Sequence, residues 1–383
     1  MERREFLAQT GMAGALLLSG CTVGSSARAA GAKNSLIPKV SAEEWRAMIA
    51  GMRPPKRKRP IVAVVADNIG SETTDFIIPY SVLSRSELAD VRAVGATAGV
   101  INFMPALSIM AQASLAQFDA STPDGPDYII VPATHREQPP EVVAWIKQHA
   151  ARGATIVGIC AGVKLLGHAG LLDGRKATSH WYEISGLKRH YPTMEWQPNR
   201  RFVVDRGVIT TTGVSASVPV SLALIEAISD RATADNLAAK IGAPVADANH
   251  VSDHFQMNAS RGGRFALNMI SFWRDENFGI EVAQGIDELA LALTADPWSR
   301  TYISQAYTVA KDSRITTLSG LDLVVDRPIG QARPKHMIAL DPNARPFAAL
   351  DTNLNAIEAR FGSPTAHLAA LQMEYEWAGT RSD

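Results

Sequence analysis

The segment with the clearest potential for chemistry is residues 158–162, GICAG, which follows an apolar run and precedes a helix-like sequence. A thiol at a strand–helix junction between small residues matches a nucleophile elbow in which sulfur replaces oxygen. Backbone N–H groups at the start of a helix favour an anion. The pattern predicts a nucleophilic Cys160 with a lowered pKa and nearby donors for an oxyanion. The alternative is a small cysteine that fills a gap in the core.

The elements that must position Cys160 alternate between strand and helix. Apolar runs, typical of strands buried on both faces of a sheet, occupy residues 61–66, 128–132, 155–159 and 208–213, with a further strand predicted at 90–95. Helices are predicted over 73–86, 139–151 and 215–229, and from Ala161 onward. This alternation predicts a doubly wound, flavodoxin-like α/β fold with a parallel sheet. Cys160 then lies at the carboxyl end of a strand, where ligands bind in such folds.

Three segments together resemble the ThiJ/PfpI superfamily, whose domains have a class-I glutamine-amidotransferase-like fold. They are TTDFIIPYSVL at 73–83, VRAVGATAGVINFMPALSIM at 91–110, and AGLLDGRKATSHW, which ends at Trp181. The resemblance runs from about residue 60 to residue 230. It is closest to the branch that contains isonitrile hydratases and the ligand domains of AraC-type regulators.

The resemblance implies roles for individual residues. Cys160 matches the elbow cysteine, Asp75 the acidic residue that approaches it, and His180 a histidine near the pocket. The residues expected to form the binding side of the pocket are Ala161, Thr134, His135 and Gly162. Among these, Ala161 and Thr134 are expected to supply backbone N–H groups to a developing anion.

The sequence also departs from the family pattern. Ala161 stands where relatives often have histidine or threonine, and Ile78 stands where the isonitrile-hydratase branch has glycine before the proline. Ala133 replaces a usual glycine beside the oxyanion site, and Pro219 replaces an acidic residue. These departures leave the scaffold recognisable but match no subfamily whose reaction can be transferred to this chain.

Two classes of function follow from these residues. The first is a cysteine-dependent hydrolase, hydratase or lyase that acts on a small electrophile such as an aldehyde or an isonitrile. The alternative is a non-catalytic ligand-binding or redox-sensing protein on the same scaffold. In both cases the expected partner is a small-molecule substrate or ligand, and no cofactor or metal is predicted.

The first 30 residues have the features of an export signal. Arg3 and Arg4 precede a short apolar stretch and resemble a twin-arginine motif, and Cys21 ends a lipoprotein-like box. We expect lipidation of Cys21 and a periplasmic or membrane-anchored protein. A cut at 27–29, Ala-Arg-Ala, and a cytosolic protein with an apolar start are the alternatives.

A linker is predicted over residues 31–59. It contains a short helix that starts with a capping-box pattern at Ser41 and continues to Met52. The basic run at 54–60 that follows is interpreted as a solvated tether.

Composition and charge argue against nucleic acid as a partner. The 383-residue chain has 38 basic and 38 acidic side chains, so it has no net positive charge to attract phosphates. Residues 237–255 only faintly resemble a helix-turn-helix and carry acidic residues in their second half. In the same stretch Asp247, His250 and His254 would share one helix face, but no glutamate base accompanies them.

The last predicted unit, residues 231–383, shows partial similarity to the predicted ThiJ/PfpI-like domain at 60–230. The apolar spacing of 306–326 parallels that of 91–111. Residues 280–293 correspond to the first strand and its helix, and residues 336–340 correspond to the strand YIIVP at 128–132. We predict a truncated, cysteine-free copy of the first domain, with an unrelated helical extension as the alternative. The expected assembly is a homodimer or an intrachain pseudo-dimer. Segments 343–361 and 364–377 should pack against the first domain.

Overall fold

The computed structural model describes residues 37–271, 276–328 and 334–379. The predicted export signal, including Arg3, Arg4 and Cys21, lies outside these ranges. Among the residues that are described, no helix is both long enough and apolar enough to cross a membrane.

Strands and helices alternate through both halves of the described chain. The strands are β1 (Ile61–Ala66), β2 (Ser71–Glu72), β3 (Asp90–Gly95), β4 (Val100–Met104), β5 (Ser108–Met110), β6 (Ala113–Ser114), β7 (Tyr128–Val131), β8 (Thr155–Gly158), β9 (Lys176–Ala177), β10 (Glu195–Trp196), β11 (Phe202–Asp205), β12 (Val208–Thr211), β13 (Glu276–Glu281), β14 (Ser304–Ala310), β15 (Arg314–Thr316), β16 (Asp322–Val324), β17 (Arg327–Pro328) and β18 (His336–Ile338).

The α-helices within the described ranges are α1 (Ala42–Gly51), α2 (Thr73–Arg85), α3 (Leu115–Ser121), α4 (Pro140–Ala151), α5 (Val163–His168), α6 (Ile184–His190), α7 (Ser217–Ile228), α8 (Arg231–Ile241), α9 (Ala259–Ile270), α10 (Glu288–Ser299), α11 (Ala349–Phe361) and α12 (Ser363–Gln372). Short 3₁₀ turns occupy Cys160–Gly162, Val214–Ala216, Ser252–His254 and Pro346–Ala348.

The main sheet has seven strands in the order β11-β12-β8-β7-β1-β3-β6. The predicted flavodoxin-like α/β fold is confirmed, and the five central strands β12, β8, β7, β1 and β3 are parallel. The sheet is mixed at one edge, where β11, a strand that the sequence analysis did not include, pairs antiparallel with β12. Arg206 and Gly207 both have positive φ and form a tight turn, which directs the chain straight back.

The core lies on both faces of this sheet. One face is covered by α4 and α5 through a cluster that includes Ile129, Ile156 and Leu166. The other face is covered by α2 and α7, and its cluster continues without interruption into apolar residues of α10, α11 and α12. The first domain and the C-terminal region therefore share one hydrophobic core.

The predicted linker is packed rather than free. The Trp45 indole of α1 donates to Glu226 Oε1 over 3.0 Å, and Met52 is fully buried. The basic run that was interpreted as a solvated tether is held by Asp127, which accepts from the Lys56 N–H and pairs with Arg57 at 3.1 Å. The carboxylate of Asp127, buried at the start of β7, fixes this segment to the domain.

The C-terminal region is an additional α/β unit that repeats part of the first domain. Its sheet has the order β17-β14-β13-β18, and β13 pairs in parallel with both β14 and β18. In the first domain β1 pairs in parallel with both β3 and β7 in the same way. The helix that follows the central strand is α2 in the first domain and α10 in the C-terminal unit. The two units therefore correspond in a central strand, the helix after it and the two strands that pair with it.

The two units join along two elements. Helix α2 packs against α10, and strand β16 of the C-terminal region pairs with β5 of the first domain at Leu323 and Ile109. The second contact produces one five-stranded sheet, β15-β16-β5-β4-β2, to which both units contribute. The ion pairs across the helices are reciprocal: Arg85 at the end of α2 bonds Glu288, and Arg300 just after α10 bonds Glu72.

The two helical segments at the C-terminus pack differently. Helix α11, within the predicted 343–361, packs on α10 and α12 of its own unit. Helix α12 and the residues after it reach the first domain, where the Trp181 indole donates to Leu371 O over 3.1 Å. Contact with the first domain is therefore confirmed for 364–377, whereas α11 contributes chiefly to the core of the C-terminal unit.

Candidate active site

Cys160 lies at a sharp turn between β8 and a 3₁₀ turn, with a φ of 56°. A Cβ on Gly162 would lie 2.2 Å from the main-chain oxygen of Val131, and one on Gly158 would lie 2.9 Å from Leu166. Glycine is therefore required at 162, where the backbone of β7 approaches closely, whereas at 158 a larger residue would displace the Leu166 side chain of α5. A left-handed cysteine at a strand end is strained, which is typical of a functional position.

Hydrogen bonds fix the backbone of this turn. The Cys160 N–H donates to Thr212 O over 3.1 Å and to Thr211 Oγ1 over 3.3 Å. The Ser179 hydroxyl donates to Cys160 O over 2.9 Å. The N–H of Cys160 is thus engaged, while the N–H of Ala161 bonds the sulfur and favours the thiolate.

The predicted lowering of the thiol pKa is wrong. Burial raises the pKa of Cys160 well above its usual value, and the nearby carboxylates of Asp75, Glu72 and Glu374 raise it further. The single donor at Ala161 does not outweigh these effects. The thiol, whose residue is only 8% exposed, is therefore protonated at neutral pH.

Asp75 is fully buried near the start of α2. Its Oδ2 accepts the N–H of Ala133 over 3.2 Å, and its Oδ1 has no hydrogen-bond partner among the described residues. Burial raises the pKa of Asp75 to about 7, against the opposing effects of Ala133 and Arg300. The carboxyl group therefore changes its protonation state near neutral pH, which is the property a general acid–base group needs.

Glu72 is a site residue that the sequence analysis missed. Its carboxylate caps α2 by accepting the N–H of Asp75, and the Thr74 hydroxyl donates to it over 2.9 Å. Burial, with the charges of Asp75 and Asp296, raises the pKa of Glu72. An acidic residue three positions before Asp75 at a helix start is a capping signal that would have identified it.

The C-terminal unit contributes a cation to this acidic cluster. The Arg300 guanidinium bonds Glu72, and its Nε donates to Asp296 over 2.6 Å. The Thr74 hydroxyl lies 3.0 Å from Asp296 Oδ2 and connects α2 to α10 at the same point. Two buried carboxylates, of Glu72 and Asp296, thus share one guanidinium, whose charge also favours the ionised form of Asp75.

His180, which follows the buried Ser179, is itself buried. Its Nε2 lies 3.2 Å from the main-chain oxygen of Gln372, which can only accept, so Nε2 carries a proton and Nδ1 has the lone pair. Burial lowers the pKa of His180, so the ring is neutral at pH 7. The predicted proximity of Cys160 and His180 is reflected in Ser179, the neighbour of His180, which bonds the Cys160 carbonyl.

The predicted binding residues form the wall between β7 and the elbow. Thr134 pairs with Ser71 in an isolated bridge, and its hydroxyl donates to Arg136 O over 2.7 Å. The N–H of His135 donates to Gly70 O, and that of Gly162 donates to Ile159 O. Of the donors predicted for an anion, the structure brings the Ala161 N–H to the sulfur.

The segment after α12 closes the site. The Glu374 carboxylate is buried, accepts the N–H of Gly213 over 2.5 Å and lies 3.1 Å from His250 Nε2. The Ser215 hydroxyl donates to Glu374 O over 2.6 Å. These contacts cover the turn beside Thr212, whose carbonyl holds the Cys160 backbone.

The helix face proposed for Asp247, His250 and His254 does not exist. Residues 247–251 are irregular and only Ser252–His254 form a 3₁₀ turn. The two histidines bond different acids instead, His250 with Glu374 and His254 with Glu376. No group of metal-ligating side chains suited to an ion occurs in the part of the chain that the structure describes.

Two cavities lie away from Cys160. The larger, about 750 Å³, lies in the C-terminal unit between α10, α11 and β18. The other, about 680 Å³, lies between α1 and residues 246–249. Cys160 itself is buried, and Glu374 from the C-terminal segment is one of the carboxylates whose charge acts on it.

Residues 60–227 match the profile of the DJ-1/PfpI family. Over 86 residues the chain is 38% identical to the HTH-type transcriptional regulator CdhR of Pseudomonas aeruginosa, covering 22% of this chain and 25% of the regulator. Over 87 residues it is 32% identical to the isonitrile hydratase of Pseudomonas putida, covering 22% and 36%. The chain thus spans well under half the length of these relatives.

Two solved structures are similar to part of this chain. Drosophila melanogaster DJ-1beta is 21% identical with a TM-score of 0.43, and the match covers 49% of this chain and 99% of that protein. A ThiJ/PfpI family protein from Pseudomonas syringae is 22% identical with a TM-score of 0.43, and the match covers 53% and 80%.

Proposed function

We propose that the DJ-1/PfpI domain formed by residues 60–227 hydrates a small, uncharged electrophile, with Cys160 as the nucleophile and Asp75 as its base. The observation that carries this proposal is the pairing of a protonated, buried thiol with a carboxyl group whose pKa is about 7. Such a carboxylate is basic enough to take the thiol proton as sulfur attacks, and acidic enough to return it.

An isonitrile fits the site better than an anionic substrate. The carboxylates of Glu72, Asp75 and Glu374 around the sulfur repel negative charge, and the thiol they surround is buried. The chemistry is that of the isonitrile hydratase relative, carried to this chain as a proposal.

The reaction balances without a cofactor. The Cys160 thiol gives its proton to Asp75 while sulfur bonds the terminal carbon of R–NC, and the proton then moves to that carbon, which gives the thioimidate R–N=CH–S–Cys160. Water adds to the same carbon, the C–S bond breaks, and the product is the formamide R–NH–CHO. The sulfur leaves as thiolate and recovers a proton. His180, with a free lone pair on Nδ1, is the second base for the water step.

The test is turnover of n-butyl isonitrile by the full chain, followed as formamide by NMR. Cys160→Ala removes the nucleophile, so we expect a rate loss of about 100-fold or more. Ser313→Ala, at an exposed position far from the site, serves as the control and should be unchanged. Formamide production by Cys160→Ala at the wild-type rate, or none by the wild type, contradicts the proposal.

A second candidate is non-catalytic binding of a small ligand. It is favoured by the similarity to transcriptional regulators, among them CdhR. The redox-sensing form of this alternative is disfavoured, because oxidation follows thiolate character and the pKa of Cys160 is raised. Saturable binding of isonitrile without formamide would select this candidate.

We also propose export by the twin-arginine route, with lipidation at Cys21, on the sequence features of residues 1–30. Replacing Arg3 and Arg4 together by lysine should leave precursor in the cytoplasm. Cys21→Ala should release an exported protein from the membrane fraction. Cell fractionation with immunoblotting measures both, and unprocessed wild-type protein in the cytosol contradicts the proposal.

A further inference from the structure

The C-terminal unit contains a cavity of about 750 Å³ that has no counterpart among the elements of the first domain. In the first domain the sheet continues beyond β7 into β8 and β12, and α7 packs against α2. In the C-terminal unit the described sheet ends at β18, yet α11 still packs on α10 as α7 does on α2. The cavity lies beside β18, between α10 and α11.

Two helices present regular faces to this space. Ala290, Thr294 and Trp298 line it from α10 at a spacing of four residues, which places them on one side of the helix. Ala349, Thr352, Asn353, Ala356 and Arg360 line it from α11. Small side chains on both helices keep the cavity wide.

One end of the cavity is aromatic, and the polar groups there form hydrogen bonds with one another. The rings of Phe278 and Trp298 lie 4.2 Å apart between centroids. The Trp298 indole donates to Asn353 Oδ1 over 2.8 Å, and Asn353 Nδ2 donates to Thr294 Oγ1 over 3.0 Å. The polar groups of this wall bond one another, so the surface offered to a ligand here is flat and apolar.

The lining also contains more basic than acidic side chains. Lys335, Arg345, Arg360 and His336 line the cavity together with a single acidic residue, Asp341. Arg360 is neutralised by Glu276. Within the described ranges no ion pair holds Lys335 or Arg345, and both side chains are exposed at the mouth. Among the described residues, the positive charges of Lys335 and Arg345 at the mouth of the cavity are therefore not neutralised by an ion pair.

We propose that this cavity is a second ligand site, separate from Cys160, that binds a small aromatic carboxylate. The ring packs against Phe278 and Trp298, and the carboxylate pairs with Lys335 and Arg345 at the mouth. The volume is within the range typical of small-molecule sites, about 300–1,000 Å³. The site is independent of the proposed chemistry at the thiol.

The test is calorimetric titration of the full chain with 1-naphthoate at low salt. We expect one saturable site, retained in Cys160→Ala. Ala356→Trp places an indole in the cavity from an exposed helix position and should abolish binding, whereas Ala144→Trp on the exposed face of α4 should not. Lys335→Gln combined with Arg345→Gln should weaken binding about tenfold, and 1-naphthalenemethanol, which lacks the charge, should bind more weakly by a similar factor.

Each outcome decides the proposal. Binding that survives Ala356→Trp places naphthoate elsewhere and overturns it, as does an absence of binding to the wild type. If Ala356→Trp does not fold, the double variant of Lys335 and Arg345 still decides the proposal, because both residues lie on the surface. An affinity for naphthoate equal to that of the wild type would show that these two cations do not bind the carboxylate. Loss of binding in Cys160→Ala would assign the ligand to the thiol site instead.

Discussion

Replacing Arg300 by methionine is expected to destabilise the folded chain by about 3–5 kcal/mol. Its guanidinium is the cation that bonds both Glu72 and Asp296, whose carboxylates are buried. Methionine fills a similar volume but leaves these charges without compensation. Protonation of the Glu72 and Asp296 carboxyl groups removes their charge and so recovers part of the lost stability. The destabilisation should therefore be smaller at pH 5 than at pH 8.

Chemical denaturation of the full chain measures this effect. Combining Arg300→Met with Glu72→Gln removes one uncompensated charge and should restore part of the stability. Arg46→Met on the exposed side of α1, where the guanidinium bonds only a main-chain oxygen, is the matched control and should change stability by about 0.5 kcal/mol or less. Equal losses for Arg300→Met and Arg46→Met would show that Arg300 does not stabilise the cluster.

Asp75→Asn is expected to change thiol reactivity and turnover in opposite directions. The Asp75 carboxylate raises the pKa of Cys160, so its removal should lower that pKa and make alkylation about tenfold faster at pH 8. The same substitution removes the proposed base, so isonitrile turnover should fall by about 100-fold or more. A residue with a purely structural role would change both in the same direction.

The pH dependence of kcat/KM tests the proposed role of Asp75 as a base independently. Because the pKa of Asp75 is about 7, its carboxylate form increases as pH rises through neutrality, and kcat/KM of the wild type should rise with it. The residual activity of Asp75→Asn should lack that step. Iodoacetamide labelling across pH reports the thiol separately. A slower alkylation of Asp75→Asn would mean that Asp75 stabilises the thiolate, contrary to the expectation.

The same substitution has a predictable effect on stability. Burial favours the protonated Asp75, whose pKa in the folded chain lies above the unfolded value near 3.9. The folded state therefore binds more protons between about pH 4 and 7, and this stabilisation is lost as pH rises across that window. Relative to the wild type, Asp75→Asn should gain stability over the same range.

The central fold was predictable because its signals are local. The run at 61–66 and the segment at 90–95 became β1 and β3 with the predicted bounds. Buried parallel strands have continuous apolar sequences, which are hard to mistake. The antiparallel β11 was not predicted, since it is a short edge strand whose direction depends on the turn at Arg206 and Gly207.

The site was only half predictable. Cys160 and Asp75 belong to motifs near strand ends, and the structure places both in one buried cluster. Arg300 and Glu374 reach that cluster from the other end of the chain, and no spacing rule connects them to the elbow. The pKa of Cys160 was predicted in the wrong direction for the same reason, because local N–H donors are visible in sequence whereas burial and distant carboxylates are not.

The sheet to which both units contribute also bears on how the chain acquires its structure. Across that seam Gln112 donates to Gly320 O, a contact that spans 208 residues of sequence. Closing a loop of that length costs about 2 kcal/mol more in chain entropy than closing one of about 20 residues. Contacts of this kind form late and slow the search for the native state. During synthesis β5 emerges long before β16 exists to pair with it, so we expect the final cooperative step to wait for nearly the whole chain, and a nascent N-terminal half to depend on chaperones until then.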